Sequence, residues 1–145
     1  MQKTIRSYED LEVWKRGIEL TIRVYSIVGH FPHSERFELS AQMRRCAVSI
    51  PSNVAEGHGR RQAKPFVNHV NIALGSLAEL VTCLVVASRL GFVPLEVFET
   101  ERRETAELGR MLHGLASSLE RRIEQRQLGI TFAVIAWFLA TATLL

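Results

Sequence analysis

The side chains best placed to do chemistry lie in residues 44–57. If this segment is helical, four of its polar residues fall at intervals of four, three and four positions and share one face: Arg45, Ser49, Ser52 and Glu56. Asn53 lies beside that face. One interpretation is a hydrogen-bond network that fixes how helices dock, because polar groups in a core need partners. The other is a ligand-binding or catalytic cluster.

The structural interpretation is favoured because the spacing shows no nucleophile paired with a base and an orienting group. Glu79, from a later segment, is expected to pair with Arg45 beside the same face. The predicted structural polar network is Arg45, Ser49, Ser52, Asn53, Glu56 and Glu79. An enzyme that uses Glu56 with His58 or His69 as acid–base groups is a less favoured alternative, and no catalytic residue is assigned.

A proline interrupts this same segment. Pro51 has no N–H to donate to the carbonyl of Ala47, and its ring crowds the preceding turn, so a kink is predicted in a helix that otherwise continues. Gly57 and Gly59 are predicted to end that helix, because glycine readily adopts the left-handed conformation found at helix ends.

The remaining histidines and cysteines give no pattern of a metal or redox site. His30 and His33 flank a proline in a predicted loop and have no partner cluster. Cys46 and Cys83 are isolated in apolar helical segments, so we expect two buried, reduced thiols. Neither a metal site nor a cofactor is predicted.

The positive charge is unevenly distributed. The chain has 18 basic residues against 15 acidic ones, a net charge of +3. Residues 35–64 carry six basic and three acidic groups, whereas residues 95–107 carry two and five. One surface should therefore be positive and another negative. Nucleic-acid phosphates are the candidate ligands, with Arg60, Arg61 and Lys64 as leading contacts and Arg44 and Arg36 as secondary ones, since the last two are also placed to bond inside the fold.

Apolar residues at helical spacing predict four long helices joined by short loops. The first, third and fourth helices cover residues 10–28, 65–91 and 95–126. The second helix is predicted to be capped by Ser34, with Phe37 as its first apolar anchor. No strand pattern competes, so the fold class is all-α. We expect an up-down antiparallel four-helix bundle over residues 1–127.

The last 18 residues, 128–145, contain no charged side chain. As a helix they would measure about 27 Å, near the hydrocarbon thickness of a bilayer. Arg121, Arg122 and Arg126 precede them, as on the cytoplasmic flank of a membrane span. Three alternatives are open: a membrane anchor, an apolar helix or tail packed on the bundle or inside an oligomer, and the product of a shifted reading frame.

Four sequence stretches resemble one protein family. Their order and content over residues 8–119 are similar to the four-helix bundle proteins first associated with intervening sequences in 23S ribosomal RNA genes: Asp10–Lys15, Phe31–Arg45, Ser49–Gly57 and Ile72–Leu80. The resemblance implies an up-down bundle that assembles as a ring, commonly a homopentamer. The family is related to the accessory variability protein of diversity-generating retroelements, a basic ring that binds nucleic acid and a reverse transcriptase.

We therefore expect a non-enzymatic, homo-oligomeric interaction module. It would contact RNA, DNA or a nucleic-acid-processing protein through arginine-rich surfaces and act on no small-molecule substrate. Residues 1–8 are polar and lack the apolar core of a secretory signal, so a cytoplasmic location is expected. The alternative is a cytosolic adaptor tethered to the cytoplasmic face of the membrane by residues 128–145.

Overall fold

Four α helices make up most of the structure. It is a computed structural model that describes residues 6–142, with side chains described through residue 135. The helices are α1 (Glu12–Val28), α2 (Leu39–Gly59), α3 (Ala63–Arg89) and α4 (Leu95–Ala142), with short 3-10 turns at Tyr8–Asp10 and His33–Arg36. No strand occurs within residues 6–142. The predicted all-α class is confirmed.

The helices form a closed bundle. α2 packs between α1 and α3, and α4 packs against both α3 and α1. Short loops join consecutive helices, so neighbours run antiparallel, as in an up-down bundle. The largest fully buried side chains come from all four helices and fill the space between them: Leu20, Met43, Ile50, Leu80, Leu84 and Leu112.

The contact between α1 and α2 is built around Pro51. α2 continues through this proline, whose buried ring faces Gly17 of α1. A Cβ atom on Gly17 would lie 3.2 Å from the Cβ atom of Pro51, so the two helices approach closely here. The Thr21 hydroxyl lies 2.9 Å from the carbonyl oxygen of Ala47 and 2.8 Å from that of Gly17. Thr21 therefore offers a donor to the carbonyl that Pro51 leaves without its helical N–H.

The α2–α3 turn depends on a second close approach. α2 passes through Gly57 and ends at Gly59, so only the later glycine lies at the helix end. A Cβ atom on Gly57 would lie 2.5 Å from the ring of Phe66 and 2.8 Å from the Cβ atom of His69. Gly57 is required for packing against α3. Arg61 completes the turn in a left-handed conformation, with φ of 54°.

The start of α2 differs from the prediction. Residues 33–36 form a 3-10 turn and α2 begins at Leu39, so Ser34 does not cap it. Phe37 is 76% exposed and does not anchor the helix in the core.

The fourth helix is longer than predicted. α4 runs without a break to Ala142, so the predicted helix end near Arg126 is wrong. Its last buried side chain is Leu119, and every described side chain from Glu124 to Ile135 is exposed. At about 1.5 Å per residue, the part beyond residue 123 extends about 28 Å past the bundle. We call residues 124–142 the α4 extension. Its described apolar side chains do not pack on the bundle of the same chain.

One helix of the bundle, α3, is long and apolar enough to span a membrane. Within the described residues, α3 is the one helix that is long enough to cross a membrane and contains a sufficiently apolar 18-residue stretch, with a mean hydropathy of 2.0. Its buried side chains form part of the bundle core.

The bond from Thr21 to Ala47 leads to a stability prediction. Thr21→Val keeps the side-chain shape but leaves the Ala47 carbonyl unpaired, so we expect a loss of about 1–3 kcal/mol in the free energy of unfolding. Thr82→Val is the matched control, because the exposed Thr82 hydroxyl bonds only its own helix, at the carbonyl of Ala78. Urea unfolding measures both variants.

The same substitution should cost less in a Pro51→Ala background, because the restored backbone N–H at position 51 bonds the carbonyl of Ala47. Equal losses from Thr21→Val and Thr82→Val would contradict this account of the α1–α2 contact.

Candidate nucleic-acid interface

Two polar residues of α2 face α3 and bond across the contact. The Ser49 hydroxyl lies 2.8 Å from that of Ser76. The Asn53 amide nitrogen donates to the Ser49 carbonyl at 2.9 Å and to its hydroxyl at 3.1 Å. The Asn53 amide oxygen lies 3.1 Å from Nδ1 of His69. All of these side chains are half-buried, so Ser49 and Asn53 fix the rotation of α2 against α3 together with Ser76 and His69.

Glu56 joins this group at the protein surface. Its carboxylate lies 2.7 Å from the Arg60 guanidinium and 3.7 Å from Nε2 of His69. The hydrogen bond from Arg60, followed by the electrostatic influence of His69, holds the pKa of Glu56 below its usual range. Glu56 is therefore ionised at neutral pH, and it offsets the charge of Arg60.

Three members of the predicted network, Ser52, Arg45 and Glu79, do not make the contacts that were predicted for them. Ser52 is exposed, and its hydroxyl donates to the Val48 carbonyl of its own helix at 2.8 Å, so it does not contribute to the α2–α3 contact. Within the described residues no ion pair joins Arg45 to Glu79. Gln42 lies between them: its amide nitrogen donates to Glu79 and its oxygen accepts from Arg45. The link between the two charges is thus indirect.

Glu79 also influences the two cysteines, which are free and buried. Burial first, then a hydrogen bond and the charge of Glu79, raise the pKa of the Cys46 thiol to about 12. Burial and Glu79 also raise the pKa of Cys83. Both thiols are protonated at neutral pH, and a protonated thiol is a poor nucleophile. Within the described residues, no group of three or more His, Cys, Asp or Glu could hold a metal ion.

Positive side chains from two separate parts of the chain meet at one end of the bundle. Arg61, in the α2–α3 turn, and Arg122, on α4, line one shallow depression of about 240 Å³, whose other lining residues are His58, Gln62, Ala63, Phe66 and Leu119. Further basic residues adjoin these two in the sequence and are exposed. We call the whole group the basic end: Arg60, Arg61, Lys64, Arg121, Arg122 and Arg126.

The other two predicted phosphate contacts lie away from the basic end. Arg44 donates to the carbonyl of Arg36 at 3.0 Å, and both are near the start of α2. The loop before α2 meets the α3–α4 loop, since the rings of Phe31 and Phe92 are 5.5 Å apart. We call this the loop end. The loop end lies about 30 Å from the basic end, which is the length of α2. The five predicted phosphate contacts therefore belong to two separate surfaces.

An ion pair that the sequence analysis did not predict joins α1 to α4. The Arg23 guanidinium lies 2.9 Å from the carboxylate of Glu101, whose side chain is only 4% exposed. Glu104 lies 3.6 Å from Arg16 and 3.9 Å from Arg23. The sequence does indicate that Glu101 is buried, because it precedes Thr105, Leu108 and Leu112 at the spacing of core positions. Part of the acidic segment is thereby neutralised inside the bundle.

The α2–α3 network leads to a second stability prediction. Asn53→Ala removes the bonds to Ser49 and leaves His69 without its amide partner, so we expect a loss of about 1–3 kcal/mol in the free energy of unfolding. Ser52→Ala, one position away on the exposed side of α2, should stay within about 0.5 kcal/mol of the parent protein. Urea unfolding measures both. A smaller loss for Asn53→Ala than for Ser52→Ala would contradict the assignment.

Comparisons with known proteins identify the family. A comparison with curated proteins found no match. Among solved structures, the chain is similar to the crystal structure of a protein with unknown function from the S23 ribosomal protein family of Bacteroides thetaiotaomicron. That likeness has a TM-score of 0.67 and 23% identity, covers 72% of this chain and 95% of that chain, and shows the shared fold. The model of one family, described as 23S rRNA-intervening sequence protein, matches residues 9–114, from the 3-10 turn before α1 into the middle of α4. This chain belongs to the 23S rRNA-intervening sequence protein family.

Proposed function

We propose that this chain is a non-enzymatic interaction module that binds nucleic acid through its phosphate groups at the basic end. The observation that carries the proposal is the meeting of Arg61 and Arg122, from distant parts of the sequence, at one depression. Phosphate contacts supply most of the affinity of non-specific nucleic-acid binding, and arginine is well suited to them.

The charge balance at the basic end supports this proposal. The two sequence segments that form it, residues 56–64 and 119–126, carry six basic residues and three acidic ones, Glu56, Glu120 and Glu124. Because Glu56 pairs with Arg60, the residues with most charge to offer a ligand are Arg61, Lys64 and Arg122. Contacts of this kind position a nucleic acid without reading its sequence. RNA is the first ligand to test, since the family description refers to an rRNA.

Several copies acting together would strengthen a site this small. We propose a cytoplasmic homo-oligomer, a pentamer by family resemblance, that repeats the basic end once per subunit and gains affinity through multivalency. An apolar groove between α3 and α4 supports self-association, because exposed apolar patches commonly mark contact surfaces. Its lining consists of Leu74, Leu77, Ala78, Val81, Ala106 and Gly109, with Arg102, Thr105 and His113 as its polar members.

A second candidate function is favoured by the α4 extension. The large apolar side chains between residues 128 and 135 are each 49–70% exposed in the single chain. The extension leaves the bundle from the basic end, so an apolar helix would be preceded by arginines, as in a helix that enters an anionic membrane. In this case the chain is a membrane-tethered adaptor and the basic end meets lipid headgroups.

A titration with matched charge variants tests the first proposal. Replacing Arg61, Lys64 and Arg122 with alanine should weaken binding of an RNA oligonucleotide at least tenfold at low salt. It should also reduce the salt slope of log K by about 2–3, since each phosphate contact contributes about 0.7–0.9. The control replaces Arg89, Arg103 and Arg110, three exposed arginines that lie outside both the basic end and the α3–α4 groove. Fluorescence anisotropy at several salt concentrations measures the affinities.

Equal losses in the two triple variants would show that net charge, and not the basic end, determines binding. Vesicles of neutral and of anionic lipid, used in a parallel sedimentation assay, test the second candidate. Sedimentation of the full chain but not of a chain truncated after Gln127, together with no RNA binding by the full chain, would favour the tethered adaptor.

A further inference from the structure

The loop end carries two exposed aromatic rings, each with an arginine beside its face. The Arg36 guanidinium carbon lies 5.4 Å from the centre of the Phe37 ring, and that of Arg44 lies 5.9 Å from the Tyr25 ring. Arg44 also donates to the carbonyl of Arg36 at 3.0 Å, which links the two pairs. We call Tyr25, Arg36, Phe37 and Arg44 the arginine–aromatic patch.

These rings differ from the other aromatic side chains of the bundle. Phe37 is 76% exposed and Tyr25 is 51% exposed. Every other Phe, Tyr or Trp within residues 6–123 is buried or half-buried. The two rings that the bundle leaves in solvent are thus the two that hold a guanidinium, although folding gains free energy by burying such apolar surface.

The charges around the patch are balanced. Glu35 and Glu38, on either side of Arg36 and Phe37 in the sequence, add two negative charges to the two positive charges of Arg36 and Arg44. His33 is exposed close by, and Nδ1 of His30 lies 2.8 Å from the Ser26 carbonyl. With no excess of positive charge, this surface is poorly suited to hold phosphates. Its exposed features are flat aromatic and guanidinium groups.

We infer that the arginine–aromatic patch binds unpaired nucleobases of a single-stranded nucleic acid by stacking. This inference rests on the proposed function and gives it a ligand class. Bases of single strands stack on aromatic rings and on guanidinium planes, whereas bases in a duplex are already stacked and paired. The patch therefore confers a preference for single strands, while the basic end contributes phosphate contacts about 30 Å away, at the other end of α2.

The test compares the full chain with three variants against an unstructured RNA oligonucleotide and a duplex of equal length. Phe37→Ala should weaken single-strand binding about tenfold, within the range measured for loss of one stacked base. It should leave duplex binding and the salt slope unchanged, because no charge is removed. Phe37→Tyr keeps a ring and should retain the parent affinity. Leu95→Ala is the control, since Leu95 is a non-aromatic apolar residue near the α3–α4 loop that is 71% exposed.

The outcomes separate this inference from the proposed function. If the parent protein binds no RNA at low salt, both are wrong. If it binds RNA and Phe37→Ala binds single strands equally well, the inference alone is wrong. A changed oligomer mass for Phe37→Ala in light scattering would show that the patch joins copies of the chain, and that result also overturns the inference.

Discussion

Pro51 leaves the carbonyl oxygen of Ala47 without a helical donor, and the bundle supplies one from another helix. Thr21 reaches this oxygen because Gly17, one turn earlier on α1, lets Pro51 approach closely. A buried unpaired carbonyl is costly, so this bond favours one register of α1 on α2. A proline that would weaken an isolated helix thereby becomes a specific docking point.

The register of α2 in turn determines what its other faces present. With Pro51 turned towards α1, Ser49 and Asn53 lie against Ser76 and His69 of α3. One turn further on, Gly57 lets α3 start close to α2, and the turn between them displays Arg61 beside α4. The basic end is thus a consequence of helix docking, because its residues come from two elements that only the folded bundle brings together.

Some charged side chains pair inside the bundle, and others are exposed at its surface. The pair of Arg23 and Glu101 removes charge from the surface and ties α1 to α4. Loss of Arg23 would leave the buried Glu101 carboxylate without its partner, which is strongly destabilising. Two of the five acidic residues in 95–107, Glu101 and Glu104, have a partner on α1, whereas Arg61 and Arg122 face solvent at a shared depression. This contrast makes the basic end the best candidate for ligand binding.

Periodicity and helix-breaking residues predicted the four helices and the importance of Pro51, because these depend on local sequence. Pairing between helices was harder, because it depends on rotations that spacing does not determine. Arg45 and Glu79 were correctly placed near the α2–α3 contact, but a long amide side chain, Gln42, lies between them. α4 was predicted to end where the composition becomes apolar. A change from polar to apolar side chains alters the surroundings that a helix prefers, but it does not interrupt the backbone hydrogen bonds. No proline follows Arg126 to end the helix.

We propose that ligand binding is divided between the two ends of one bundle, with phosphates bound at the basic end and bases at the loop end. Photo-cross-linking of a bound single-stranded RNA to the full chain, followed by peptide mapping, tests this most directly. The account predicts adducts in peptides that contain residues 58–66, 119–126 and 25–44. Adducts confined to other peptides, with none in these three, would contradict it.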